Sequence, residues 1–339
     1  MSRKIHCLAS VCVFSVAFWL GTSAQADDWS IDDLGTLPGG VLSGAYGINT
    51  VGWVVGASST FGGVVHAFLY DGTMRDLGTL PGGITSYANA IGVAGWIVGA
   101  STTSDPFYHA FLYDGTMRDL GTLPGGITSQ ATDINDAAWV VGYSHSSAGT
   151  HAFLYDGTMM RDLGTLPGGT GSDATRINAA GWVVGSSNTV GGASHAFLYD
   201  GTMQDLGTLP GGTSSYAMGI NDAGWVVGRS FASDGFPHAF LYDGTMRDLG
   251  DLPGTHCTAV SINAGGWVVG YCEDLSGYLR AVLYNDSGIT DLSDLTAVRF
   301  AMWERLAIAW AINDTGQIVG EGVIGGQTHA FRLNPPSPP

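Results

Sequence analysis

The chain has 339 residues, with 29 acidic against 12 basic side chains and a formal net charge of −17. A surface of that sign repels phosphate backbones and anionic headgroups, which argues against nucleic-acid binding and against attachment to a bilayer. Glycine is abundant, at 53 residues, and such a composition indicates disorder unless the glycines are phased.

At the N-terminus, Arg3 and Lys4 precede an apolar run from Leu8 to Leu20 and a small-x-small site at Ala24-Gln25-Ala26. The run is shorter than the ~20 residues of a membrane span, so residues 1–26 read as a signal peptide cleaved after Ala26. A secreted or periplasmic protein without membrane insertion is therefore expected. Processing would remove Cys7, Cys12 and the chain's one lysine, leaving ten arginines against 29 acidic residues.

From Asp33 onward one sequence recurs seven times: DLGTLPGG, then IN-x-x-GWVVG, then HAFLYDGTM. Asp33, Asp76, Asp119, Asp162, Asp205, Asp248 and Asp291 are each 43 residues apart. Within the second unit, Ser86 to Ile91 is predicted as a first strand and Trp96 to Ser101 as a second. His109 to Tyr113 is predicted as a third, and Met117 to Leu123 as a fourth, after an Asp114-Gly115 hairpin. The second and third strands are continuous apolar runs, the pattern of a sheet covered on both faces. Four strands in about 43 residues fit a propeller blade, so residues 27–334 are expected to form one all-β, seven-bladed β-propeller. Residues 335–339 form a Pro-rich tail.

A β-solenoid is the competing fold, and the phase of the repeats argues against it. The last unit supplies only three strands (Ala309 to Ile312, Gln317 to Glu321, His329 to Leu333), and its missing fourth is Trp29 to Leu34. Pairing the two would close the ring and remove both exposed sheet edges.

The combination DLGTLPGG…IN-x-x-G-x-VVG…HAFLYDG, over residues 33–334, resembles the HAF family of bacterial extracellular repeat proteins, named for their His-Ala-Phe triplet. The resemblance implies export and a repeat fold. It carries over no catalytic residue.

The repeated histidines His66, His109, His151, His195, His238 and His329 occupy the third strand, with Arg280 substituted in the sixth unit. Third-strand residues lie ~10 Å farther from the axis than the first strand, too far apart for ligands that zinc needs at ~2 Å, so they are expected to be structural. The Asn of each IN turn suits an Asx turn, and Gly92 replaces it in the second unit. If the turn at 263–266 pairs Ile262 with Trp267, Cys257 and Cys272 stand directly opposite and form a disulfide in an oxidising compartment. No metal or cofactor is expected beyond weak binding of divalent cations such as calcium.

Candidate ligand-binding residues sit in the variable loops after the second strand and in the connection to the last unit. These are Phe107, Tyr108, His145, Phe231, Phe236, Glu273, Tyr278, Arg299 and Trp303, on one face around the channel mouth. The sixth and seventh units break the repeat most, with Arg280, His256, Asp274, Glu304 and Arg305 and a connection six residues longer than elsewhere. Three readings stay open. The first is a monomeric binding scaffold for an extracellular glycan or a peptide or protein ligand. The second is a carbohydrate-active hydrolase or lyase using Glu273, Asp274 or Glu304. The third is a structural envelope or matrix protein.

Overall fold

A computed structural model describes residues 29–146 and 149–336, so the expected signal peptide and the end of the Pro-rich tail lie outside the described residues. Each repeat forms one antiparallel four-stranded sheet, and seven such sheets stand around an axis as a β-propeller. In the second blade the inner strand is Ser86–Ile91, followed by Ile97–Thr102, Tyr108–Tyr113 and the outer strand Met117–Gly121. The outer strand ends before Leu123 because Asp119 Oδ1 accepts the Gly121 N–H at 2.7 Å and Gly121, at φ +72°, turns the chain away.

The core lies between blades. Val54 and Val55 face opposite sides of their sheet, and both are fully buried. Val55 and Ala67 of the first blade pack against Ala88, Ile91 and Phe111 of the second. The HAF phenylalanines Phe68, Phe111, Phe153, Phe197, Phe240 and Phe331 are all inaccessible, each burial contributing ~1.5–3 kcal/mol. Val282 takes this place in the sixth blade.

The seventh sheet runs from Trp303–Ile312 through Ile318–Ile324 and Gln327–Asn334 to Ser30–Asp33. Ile31 pairs with Leu333 and Asp33 with Phe331, so the first strand of the fold completes the last blade. Leu34, Leu37, Val54 and Phe68 then pack against Ala311, Val319 and Ala330, closing the ring.

Around the axis the turn asparagines link the blades. The Asn49 Oδ1 accepts the Trp53 N–H within its own turn, while its Nδ2 donates to the Gly92 carbonyl of the next blade. Asn135, Asn178, Asn221 and Asn263 donate to Asn178, Asn221, Asn263 and Asn313 in turn, and Asn313 donates to Asn49 at 2.9 Å. Gly92 lacks the side chain to continue to Asn135, so the belt has one gap. Trp53 also lies over Gly95 of the second blade, and Trp139, Trp182 and Trp225 repeat that contact.

Every inner strand carries an irregularity in its pairing, between Ala45 and Gly47, Ala88 and Ala90, Ala131 and Asp133, and equivalent positions onward, and the seventh carries two more, at Glu304 and Ala307. A β-bulge re-aims one side chain. At the shared position the bulged residues are Tyr46, Asn89, Thr132, Thr175, Met218, Val260 and Trp310.

The bulge corrects one expectation. Ile262 pairs with Val268 and not Trp267, because the Asn263 N–H bonds to the Trp267 carbonyl and keeps Trp267 inside the turn. The irregularity between Ala259 and Ser261 restores the register, so Cys257 faces Cys272 and the two form a disulfide. Five other blades place two buried serines there, as at Ser86 and Ser101. Ser86 Oγ accepts the Ala67 N–H and donates to the Gly78 carbonyl, tying two blades together. Cys257 makes neither bond, and the Tyr284 hydroxyl donates to the corresponding Gly250 carbonyl instead.

Two outcomes follow from these contacts. A Cβ at Gly92 would meet nothing closer than 3.9 Å, so Gly92→Asn should complete the belt. It is expected to raise stability by ~1 kcal/mol, read as a higher denaturant midpoint with unchanged m-value. Replacing Cys257 and Cys272 together by serine removes a cross-link worth up to ~3 kcal/mol but restores the pair found in five blades. The double variant should therefore fold and melt lower than the oxidised protein, by less than that full amount.

Candidate functional site

In six blades the HAF histidine meets the repeated aspartate across the third and outer strands. His66, His109, His151, His195, His238 and His329 place Nδ1 within 2.7–3.0 Å of Asp76, Asp119, Asp162, Asp205, Asp248 and Asp33. The same aspartates accept a backbone N–H two residues on, such as Gly78 N to Asp76 Oδ1 at 2.7 Å. Each pair therefore fixes its own outer strand, and none converges with another. Among the described residues no group of three or more His, Cys, Asp or Glu is placed to hold a metal ion. His238 differs, because Asp234 and Asp251 join Asp248 around its ring. Burial opposes its charge, but the Asp234 hydrogen bond and the nearby Asp251 and Asp248 carboxylates raise its pKa overall.

The variable loops and the Pro-Gly-Gly connections share one face. The Phe61 N–H donates to the Pro38 carbonyl, and Gly82 and Gly168 lie against Ser104 and Val190 in the same way. The candidate residues are spread around that face. Phe107 is exposed, and the Tyr108 hydroxyl bonds Thr85 Oγ1 at 3.0 Å. His145 contacts Thr150 in its own loop. Phe231 pairs with Ser214 and Pro237 within its sheet, and Phe236 stacks on His256 at 3.9 Å, bridging the fifth and sixth blades. Glu273 is paired beside His256 and Leu279 and is exposed.

Five candidates come together between the sixth and seventh blades. A cleft of about 520 Å³ is lined by Asp274, Tyr278, Arg299, Trp303 and Glu304, with Arg280, Arg305, Asp291 and Asp294. The long connection builds it: Leu292–Asp294 forms a 3-10 turn and Thr296–Phe300 a short helix. Leu295 and Val298 wedge into the interface beside Trp303, which is buried edge-on against Phe331. Arg280 occupies the histidine position and reaches Asp291 at only 3.5 Å, while its buried Nε finds no partner among the described residues. Arg280 and Arg305 both lie over the Tyr278 ring, at 5.5 and 4.5 Å.

The carboxylates of the cleft are engaged. Asp274 Oδ1 accepts from Ser276 N, Ser276 Oγ and Tyr278 N, which hold its pKa below the usual carboxylate range. Glu304 Oε1 accepts the Gly326 N–H at 2.8 Å, and Asp294 pairs with Arg299 at 2.6 Å. The arrangement offers guanidinium donors beside an aromatic ring, with its carboxylates tied into loop structure.

Sequence reasoning missed the second concavity. The bulged residues line a cavity of about 330 Å³ in the central channel, together with Arg176 and Glu321. The residue after the repeated Ala is Tyr, Asn, Thr, Thr, Met, Val and Trp in the seven units, a variation that does not by itself mark the position as facing the axis.

No protein-family model and no curated protein matches the chain. Among solved structures it is similar to the puromycin-hydrolyzing peptidase of Mycobacterium tuberculosis, at 13% identity and TM-score 0.52, over 80% of this chain and 48% of that one. It is similar to the acylaminoacyl peptidase of Pyrococcus horikoshii at 11% identity and TM-score 0.51, over 83% of this chain and 49% of that one. The chain thus spans about half the length of each peptidase, 48% and 49%. It is also similar to the fucose-recognising, six-bladed propeller lectin of Aleuria aurantia, at 13% identity and TM-score 0.39, over 77% and 94% of the two chains. At these identities the likeness shows the β-propeller fold alone.

The charge on His238 gives a pH signature. A raised histidine pKa contributes stability that is present below the unfolded value and is lost as pH rises through the folded one. His238→Asn should therefore lower the melting temperature more at about pH 5 than at about pH 8.

Proposed function

We propose that the protein is an exported binding module of the HAF type, and that it takes an acidic glycan in the cleft between the sixth and seventh blades. The unpartnered Arg280 Nε carries this reading. Every other blade has a histidine satisfied by its aspartate, whereas here a buried guanidinium N–H is left without an acceptor beside an open cleft. Of the ten arginines beyond Arg3, Arg280, Arg299 and Arg305 gather in this one place on a strongly acidic chain. A carboxylate-bearing sugar would accept from Arg280 and Arg305, with a pyranose face against Tyr278 and hydroxyls near Ser276 and Ser293.

The hydrolase reading fits less well. Glycoside hydrolysis needs one carboxylic acid with a raised pKa, whereas Asp274 is held ionised by three donors and Glu304 supports the Gly326 turn. The matrix reading has no observation in its favour.

Arg280→His restores the residue of the other blades opposite Asp291 and should keep the fold. On an array carrying uronic-acid and sialylated glycans beside neutral ones, the exported protein is expected to bind the acidic set saturably, without releasing products. Arg280→His and Arg305→Ala should each weaken that binding at least ~10-fold. Binding unaffected by either change would remove the cleft from consideration, and product release abolished by Glu304→Gln would restore the hydrolase.

A further inference from the structure

The channel cavity is a separate chamber, built by different residues from those of the cleft. Its seven bulged positions are among those the repeat leaves free, although the alanine before each bulge (Ala45, Ala88, Ala131, Ala174, Ala217, Ala259, Ala309) is kept in all seven blades. A lining needed only to fill the axis would repeat like the rest of the blade. Here the order around the ring divides it into two arcs. Met218, Val260, Trp310 and Tyr46, from four adjacent blades, form an apolar and aromatic wall, with Trp310 edge-on to Tyr46 at 6.1 Å. Asn89, Thr132 and Thr175, from the three remaining adjacent blades, form a polar wall opposite.

The hydrogen bonds of the polar wall define what it can receive. Asn89 Nδ2 donates to the Ala131 carbonyl at 2.7 Å, and Thr132 and Thr175 Oγ1 donate to the Ala174 and Ala217 carbonyls at 3.0 and 2.9 Å. With both hydroxyl protons committed to backbone, these threonines face the cavity as acceptors. Donors come from the aromatic side, where Trp310 Nε1 is buried close enough to the Glu321 carboxylate to favour its charge, yet makes no hydrogen bond of good geometry to it or to any other described residue. Glu321 stands beside Tyr46, both reaching within 3.1 Å of where a Gly44 Cβ would lie. Burial raises the Glu321 pKa, an effect the neighbouring Trp310 indole opposes. Across the channel Arg176 donates to the Thr175 carbonyl and neighbours Asp133.

We propose that this cavity is a second binding site, for a neutral polyhydroxylated ring of monosaccharide size. Its C–H face lies on the Met218–Val260–Trp310–Tyr46 arc, and its hydroxyls donate to Asn89, Thr132 and Thr175 and accept from Trp310. At about 330 Å³ the chamber is at the small end of ligand pockets, room for one ring or two. A purely apolar ligand would strand the acceptors of the polar wall, and an ion would meet opposite charges on opposite walls.

Glucose, galactose, mannose and N-acetylglucosamine are the probes, titrated into the exported protein by calorimetry and by the fluorescence of the indoles. At least one should bind saturably at millimolar concentration or tighter. Trp310→Phe keeps the aromatic wall and removes its donor, and should weaken that binding about fivefold. Met218→Trp fills the chamber and should abolish it while the melting transition stays cooperative. Arg280→His, in the cleft, should leave it unchanged. No saturation with any of the four sugars would overturn the proposal, as would binding indifferent to Met218→Trp. Saturable binding of free leucine or tryptophan in place of the sugars would overturn it as well, reassigning the chamber to zwitterions. Loss of acidic-glycan binding in Arg280→His tests the cleft alone, so the two sites fail separately.

Discussion

The hydrogen bond from Asn313 Nδ2 to the Asn49 carbonyl spans 264 residues of sequence and joins the two ends of a belt that otherwise links only neighbouring blades in the chain. A propeller has no central core to hold it together. Its apolar burial lies in seven interfaces between sheets, each covering a face that would otherwise meet water. Opening any one interface exposes two faces, and all seven carry a connection from an outer strand to the next inner one, the break in the chain falling inside the last blade. The interface between the last blade and the first depends on pairing of Ser30–Asp33 with Gln327–Asn334, on Leu34 and Leu37, and on this asparagine. The seam uses the same contacts as the other interfaces, which is how a linear chain becomes a ring without a weak point.

The repeated residues satisfy backbone groups, and the places where they change show how the same demand can be met otherwise. In the sixth blade Cys257 gives up the two hydrogen bonds of the repeated serine. The Tyr284 hydroxyl takes over the Gly250 carbonyl, and the disulfide to Cys272 supplies the cross-strand tie. Asp291 keeps its turn, accepting from Ser293 N at 2.9 Å, although its histidine partner has become Arg280. Among the described residues of this blade the Arg280 Nε is left over, as the Arg229 Nε is in the fifth. A substitution that leaves a buried donor unsatisfied costs stability on its own, so its natural explanation is an acceptor that arrives from outside.

Blade number, strand order and ring closure were legible because each is a property of the period: 43 residues, continuous apolar strands and a unit split between the two ends. The Cys257–Cys272 pairing was legible although the turn register was off by one, since the bulge that moved the turn also restored the pairing at the cysteines. The meeting of His66 with Asp76 was not, because it depends on how the short outer strand aligns after its hairpin. The cleft was half visible. Asp274, Tyr278, Arg299, Trp303 and Glu304 stood out as departures from the repeat, but nothing in their spacing says that Leu295 and Val298 wedge between blades and gather them. The channel lining was invisible for a sharper reason. Strict alternation along Ser86 to Ile91 assigns faces by parity, and a bulge in the middle breaks parity.

The excess of negative charge bears on the two concavities differently. At physiological ionic strength the field of distant carboxylates decays over ~8 Å, so an acidic ligand approaching the cleft is governed by the groups that line it. There Arg280 and Arg305 flank Tyr278, while Asp274 and Glu304 are turned into loop hydrogen bonds. The net field therefore slows encounter with an anion more than it weakens the complex once formed. The channel is surrounded by seven sheets, and its lining sets Glu321 on one wall against Arg176 on the other. Selection there rests on shape and hydrogen-bond polarity, which ionic strength barely alters. On the two proposals, a single acidic propeller carries one site whose ligand is chosen by charge and another whose ligand is chosen by its lack of it.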